Sequence, residues 1–142
     1  MKRTYGFSLI ELLVAVAIVS ILASIAVPGY RDYVRRGKLA EAYTNLASQR
    51  VKMEQFYQDN RTYNNACQPN TVAPKPADTI NFTYTCTIAD QTYTITATGL
   101  ATGNLAGFRF TVDQNNNRAT PAVPSGWTSS TTCWIKNKDG SC

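Results

Sequence analysis

Hydrophobic and polar positions change their rhythm three times along the chain. From Phe7 to Val27 the order FSLIELLVAVAIVSILASIAV carries one charge, Glu11, and only Ser8, Ser20 and Ser24 as other polar side chains. At about 1.5 Å per residue, a helix of this length spans roughly 30 Å, which matches a bilayer's hydrocarbon core. Lys2 and Arg3 precede it, so the positive-inside rule predicts a cytoplasmic N-terminus and export of residues 29 onward. An ordinary secretory signal has a shorter apolar core ending at a small-residue cleavage site, whereas this run continues into Pro28-Gly29-Tyr30-Arg31. Glu11 does not fit a plain anchor. A carboxylate within an apolar helix is expensive to desolvate and calls for a partner.

Pro28 removes a backbone donor and disfavours helix at Val27, so a kink or local loss of helix is expected just before it. Ser20 can bond back to its own helix and bend it. Beyond Pro28 the pattern becomes amphipathic. Leu39, Tyr43, Leu46, Met53 and Tyr57 recur at spacings of three, four or seven, which predicts helix to about Tyr57. The stretch from Asn60 to Thr79, with Pro69, Pro74 and Pro76, reads as a long loop. Alternation then predicts a hairpin of strands Asn81 to Ile88 and Thr92 to Ala97 around Ala89-Asp90-Gln91. Gly107 to Val112 reads as a third strand, followed by the turn Asp113 to Asn117. From Thr120 to Cys142 the pattern predicts irregular chain, with a short strand at Thr132 to Lys136.

The 142 residues suffice for one compact domain, and 44% hydrophobic content argues against wholesale disorder. Histidine is absent, which removes the commonest general base at neutral pH and every zinc site that needs an imidazole. The acids Asp32, Glu41, Glu54, Asp59, Asp78, Asp90, Asp113 and Asp139 are dispersed, and no glycine-rich phosphate loop occurs, so the chain reads as a structural protein and not an enzyme. No cofactor or metal is implied. A net charge of +5, from 14 Lys plus Arg against 9 Asp plus Glu, permits nucleic-acid binding without arguing for it. Cys67, Cys86, Cys133 and Cys142 all fall on the exported side, where disulfides form. Three connectivities are open; pairing Cys67 with Cys86 and Cys133 with Cys142 is preferred because each bond closes a local loop.

The order Lys2-Arg3-Thr4-Tyr5-Gly6-Phe7-Ser8-Leu9-Ile10-Glu11, an apolar run and then Pro28 closely resembles the class III signal of type IV pilins. The remaining layout resembles type IVa pilins, and the terminal Trp127, Trp134 and cysteine loop resemble the PilE-like minor pilin group. The resemblance implies an α+β type IV pilin fold: a long N-terminal helix packed on a small antiparallel sheet, with a disulfide-bounded C-terminal loop. It implies a leader at 1–6, an apolar transmembrane and filament-core segment at 7–28, and an exported globular domain at 29–142.

Prepilin peptidase would cleave between Gly6 and Phe7, and Phe7 would be N-methylated. Gly6, without a side chain, lets the backbone enter a protease site in an extended form. Glu11 would attract the Phe7 amine of an adjacent subunit, and the chain before Pro28 would unwind on filament packing, although Ser20 stands where many major pilins have Gly. The implied partners are other pilin subunits in a homo- or hetero-polymer, prepilin peptidase, the pilus assembly platform and the inner membrane. The implied location is the bacterial inner membrane and then the extracellular pilus. Alternatives are a major pilin, a type II secretion pseudopilin, and a DNA-uptake pilin. For the last, Lys136 and Lys138 beside Trp134, and Lys75 in the other loop, could contact phosphates; solvated loop charges are the plainer reading. Adhesion, twitching motility and DNA uptake all remain open as roles of the filament.

Overall fold

The computed structural model describes residues 8–142, in two compact units, one ending at Val34 and the other Arg35–Cys142. Gly6 and Phe7 lie outside the described residues. Helix α1 (Leu9–Asn60) contributes to both units. From Leu9 to Val27 its apolar side chains are all exposed, and its most apolar window has a mean hydropathy of 2.7. An open apolar surface of this extent needs lipid or neighbouring helices to cover it.

The helix is unbroken through Pro28, so of the two expected outcomes, a kink or a local loss of helix, the loss of helix does not occur. Proline deletes one donor, and the bonds on either side of it carry the helix through. The Ser20 and Ser24 hydroxyls donate back to the carbonyls of Val16 and Ile21, each at 2.7 Å. At its other end α1 reaches Asn60, three residues past Tyr57. There the Asn60 amide donates to the Phe56 carbonyl at 2.9 Å, and Arg61 enters the left-handed region at φ 58, a common way to end a helix.

In the second unit, strands β1 (Phe82–Ile88), β2 (Tyr93–Gly99), β3 (Arg109–Asp113) and β4 (Arg118–Ala122) form one antiparallel sheet in that order. Pairing runs from Phe82 opposite Gly99 to Ile88 opposite Tyr93, and from Thr94 opposite Asp113 to Thr98 opposite Arg109. Period-2 alternation puts Phe82, Tyr84, Tyr93, Ile95, Ala97, Phe110 and Val112 in the core, with threonines on the other face. Gly99 is required by close approach: a Cβ there would lie 2.1 Å from the Leu105 carbonyl oxygen.

β4 departs from the expected irregular chain after Thr120, and no strand forms at Thr132 to Lys136. An edge strand tolerates Pro121 because half of its backbone groups face away from the ladder. Residues 132–136 cannot extend as a strand while Trp134 and Ile135 are both drawn into the core. On α1 the fully buried positions are Leu39, Ala42, Leu46 and Met53, with Gln49 and Phe56 close behind. Tyr43 and Tyr57 flank that stripe, half-buried.

Candidate functional site

Glu11 sits in the first turn of α1, three residues after Ser8. The Ser8 backbone N–H and hydroxyl donate to the Glu11 carboxylate at 3.2 and 3.3 Å, and the Ser8 hydroxyl accepts from the Glu11 N–H at 3.3 Å. This is a reciprocal capping box. It aims the carboxylate toward the helix N-terminus, where the dipole favours negative charge. The Ser-x-x-Glu spacing of Ser8 and Glu11 is the sequence signature of this cap.

At the far end of the chain, Cys133 is bonded to Cys142 with Cα atoms 6.2 Å apart, and Cys67 is bonded to Cys86 at 6.6 Å. The C-terminal loop is also held without sulfur. Trp134 stacks on Tyr43 with centroids 5.8 Å apart, and its indole N–H donates to the Thr111 carbonyl at 2.8 Å. The Tyr43 hydroxyl donates to the Ile135 carbonyl, and burial raises that phenol's pKa. Buried Thr120 on β4 donates to the Cys133 carbonyl at 2.9 Å and accepts from the Ile135 N–H at 3.1 Å.

Lys136 and Lys138 are exposed on this loop. Two further cations come near it. Arg36 donates to the Asn137 side chain at 3.3 Å, and the Arg118 guanidinium lies 4.7 Å from the Trp134 ring centroid. Neither contact leaves a local pattern in the sequence, since Arg36 and Asn137 are 101 residues apart and Arg118 reaches Trp134 from another element, β4. Asp139 accepts from the Ser141 N–H at 2.9 Å, which holds its carboxyl below the ordinary value. Lys75 is elsewhere, ion-paired with Asp78 at 2.6 Å. Trp127 packs edge-on against Phe108 at 4.9 Å, an anchor beneath the surface. The loop thus presents a basic surface on a rigid aromatic base, suited to contacts with anions.

Residues 28–106 match the family described as "Type IV minor pilin ComP, DNA uptake sequence receptor", and residues 1–27 match the prokaryotic N-terminal methylation motif. Fimbrial protein EcpC of Eikenella corrodens is 35% identical over 106 residues, covering 72% of this chain and 67% of the relative. The type IV major pilin protein PilE1 of Neisseria gonorrhoeae is 34% identical over 98 residues, 69% of this chain and 59% of that protein. PilA of Myxococcus xanthus, also a type IV major pilin protein, is 28% identical over 127 residues, 85% of this chain and 58% of that one. The chain therefore spans about three fifths to two thirds of the length of these curated relatives. Among solved structures, the non-core minor pilin PilV of Neisseria meningitidis has the same fold, with a TM-score of 0.56 at 18% identity over 66% of this chain and 93% of that one.

Proposed function

The chain belongs to the type IV minor pilin ComP family, and from that premise we propose that it is a structural subunit of a type IV pilus, held in the inner membrane and then polymerised through α1. The observation that carries this reading is the apolar stretch of α1 from Leu9 to Val27, exposed throughout yet holding a carboxylate at Glu11. Cleavage between Gly6 and Phe7 leaves that stretch attached and creates a positive amine four residues before Glu11. In a helical bundle of low dielectric, the amine of an adjacent subunit neutralises Glu11, and a misplaced subunit leaves the carboxylate uncompensated. Pro28 marks the point where the apolar segment meets the exported domain.

The test is the intact and N-terminal peptide mass of the protein in sheared surface filaments and in membranes, beside a Glu11→Ala variant. A methylated Phe7 terminus, with Glu11→Ala processed but missing from filaments, is the expected result. An unprocessed Met1 in every fraction refutes it.

A second reading, DNA capture by the pilus, is favoured by the description of the matched family as a DNA uptake sequence receptor. The match ends at residue 106, before Lys136 and Lys138. On this reading those lysines, with Arg118, contact phosphates, and affinity for duplex DNA falls steeply with salt. A Lys136→Gln/Lys138→Gln variant that binds duplex DNA as the parent does removes the loop from that role.

A further inference from the structure

The outward face of the sheet is a lattice of threonines. Register places Thr83 opposite Thr98, Thr85 opposite Thr96 and Thr87 opposite Thr94 across β1 and β2, and Thr111 on β3 extends the middle rank beside Thr96. The other two outward positions of β3 are charged, Arg109 beside Thr98 and Asp113 beside Thr94. All of these side chains are exposed or half-buried, and among the described residues none of the threonine hydroxyls is bonded to another group of the chain. β1 and β2 carry no charged residue at all, although lysines and glutamates are what ordinarily keep a solvent-facing strand from pairing with others.

A hydroxyl both donates and accepts, so a surface paved with hydroxyls is complementary to a copy of itself, as a surface of like charges is not. The two charges select the orientation. A twofold axis running across the strands, through Thr85, Thr96 and Thr111, lays each strand reversed on its own counterpart and sets Arg109 of each copy over Asp113 of the other. An axis along the strands would set both charges over threonines. Arg109 is exposed, and among the described residues it has no hydrogen-bonding or ionic partner. Asp113 Oδ1 accepts from the N–H groups of Asn115 and Asn117, each at 2.9 Å, and Oδ2 from the Asn117 amide at 2.8 Å. Those bonds pin the carboxylate and leave Oδ2 a lone pair for a guanidinium.

We propose that this face pairs with the same face of a second copy of the chain, joining molecules side to side and independently of any contact made by α1. Three strands at about 4.8 Å spacing and about 20 Å of length give a footprint of roughly 300 Å² on each copy. That is well short of the roughly 800 Å² that each partner of a stable complex buries. A single pair is therefore weak, and the contact acts where many copies are displayed together, each further pair forming at high effective concentration.

Full-length chain reconstituted at high density in phosphatidylcholine vesicles tests this, with vesicle clustering followed by light scattering. The parent is expected to cluster vesicles. Thr96→Lys sets two ammonium groups face to face on the axis and lowers the clustering rate at least about tenfold. Arg109→Glu and Asp113→Lys each do the same alone, because like charges then meet at both ends of the face. Vesicles of the two kinds, mixed in equal number, restore opposite charges at both ends and recover the parent's rate. Thermal melts check that each variant is folded; Thr96→Lys and Arg109→Glu change only outward side chains and decide the matter if Asp113→Lys loses its turn. No clustering by the parent, clustering indifferent to Thr96→Lys or Arg109→Glu, or no recovery on mixing the two folded charge variants overturns the proposal.

Discussion

Replacing Thr120 by valine keeps the shape of a side chain that is 0% exposed and deletes its hydroxyl. That hydroxyl donates to the Cys133 carbonyl at 2.9 Å and accepts from the Ile135 N–H at 3.1 Å, so one substitution strands a donor and an acceptor. Ile135 is itself 0% exposed, which leaves its N–H no access to water. At about 1–3 kcal/mol for each buried group left unpaired, and with carbonyls the more tolerant of the two, the loss sums to about 2–4 kcal/mol. At about 4 °C per kcal/mol for a domain of this size, the melting temperature falls by about 8–16 °C.

Thr120→Ser is the matched control. It keeps both bonds and loses one buried methyl, at a cost of about 1 kcal/mol. Calorimetry on the full chain in detergent ranks the two variants, and hydrogen exchange at Ile135 reports the local effect, accelerating in Thr120→Val and not in Thr120→Ser. A valine variant that melts at or above the serine variant refutes the claim that this hydroxyl ties the C-terminal loop to β4.

Gly99→Ala, whose Cβ would collide with the Leu105 backbone, should cost about 3 kcal/mol or more in urea unfolding, whereas Gly29→Ala, with no atom within 4 Å, should leave stability unharmed. Breaking Cys67–Cys86, which closes a separation of 19 residues, should cost about 3 kcal/mol, and breaking Cys133–Cys142, at 9 residues, about 2.5, both read by thermal melts of Cys→Ala pairs. Burial raises the phenol pKa of Tyr43 and of Tyr93 above the ordinary 10.0. The folded state therefore favours the neutral phenol, so stability should hold below pH 10 and fall above it as the unfolded chain ionises first, a loss that denaturant titration from pH 8 to 11 would measure. At the acid end, hydrogen bonds from Lys75 lower the Asp78 carboxyl and those from Thr62 lower Asp90, so their contribution is present above about pH 4 and lost below it.

The apolar run from Phe7 to Val27, the Glu11 anomaly within it and the hairpin around Asp90 were all readable from residue order, because each is a short-range pattern with its own period. The Ser8 cap and the helical stripe through Leu39, Leu46 and Met53 belong to the same class. β4 was not readable: Arg118 to Ala122 contains a proline and lacks an apolar alternation, and it becomes a strand because β3 presents an edge for it to pair with. Gln49 looks like a surface residue within an amphipathic helix, yet it is buried because the loop carrying Ala73 closes over it and offers its amide a carbonyl. The same reason separates Lys136 and Lys138, visible beside a cysteine in the sequence, from Arg36 and Arg118, which join them only when the chain folds. Local periodicity is a property of neighbours in the chain, whereas burial of a polar group and the company of distant charges depend on which segments meet, and that is set by packing the whole core.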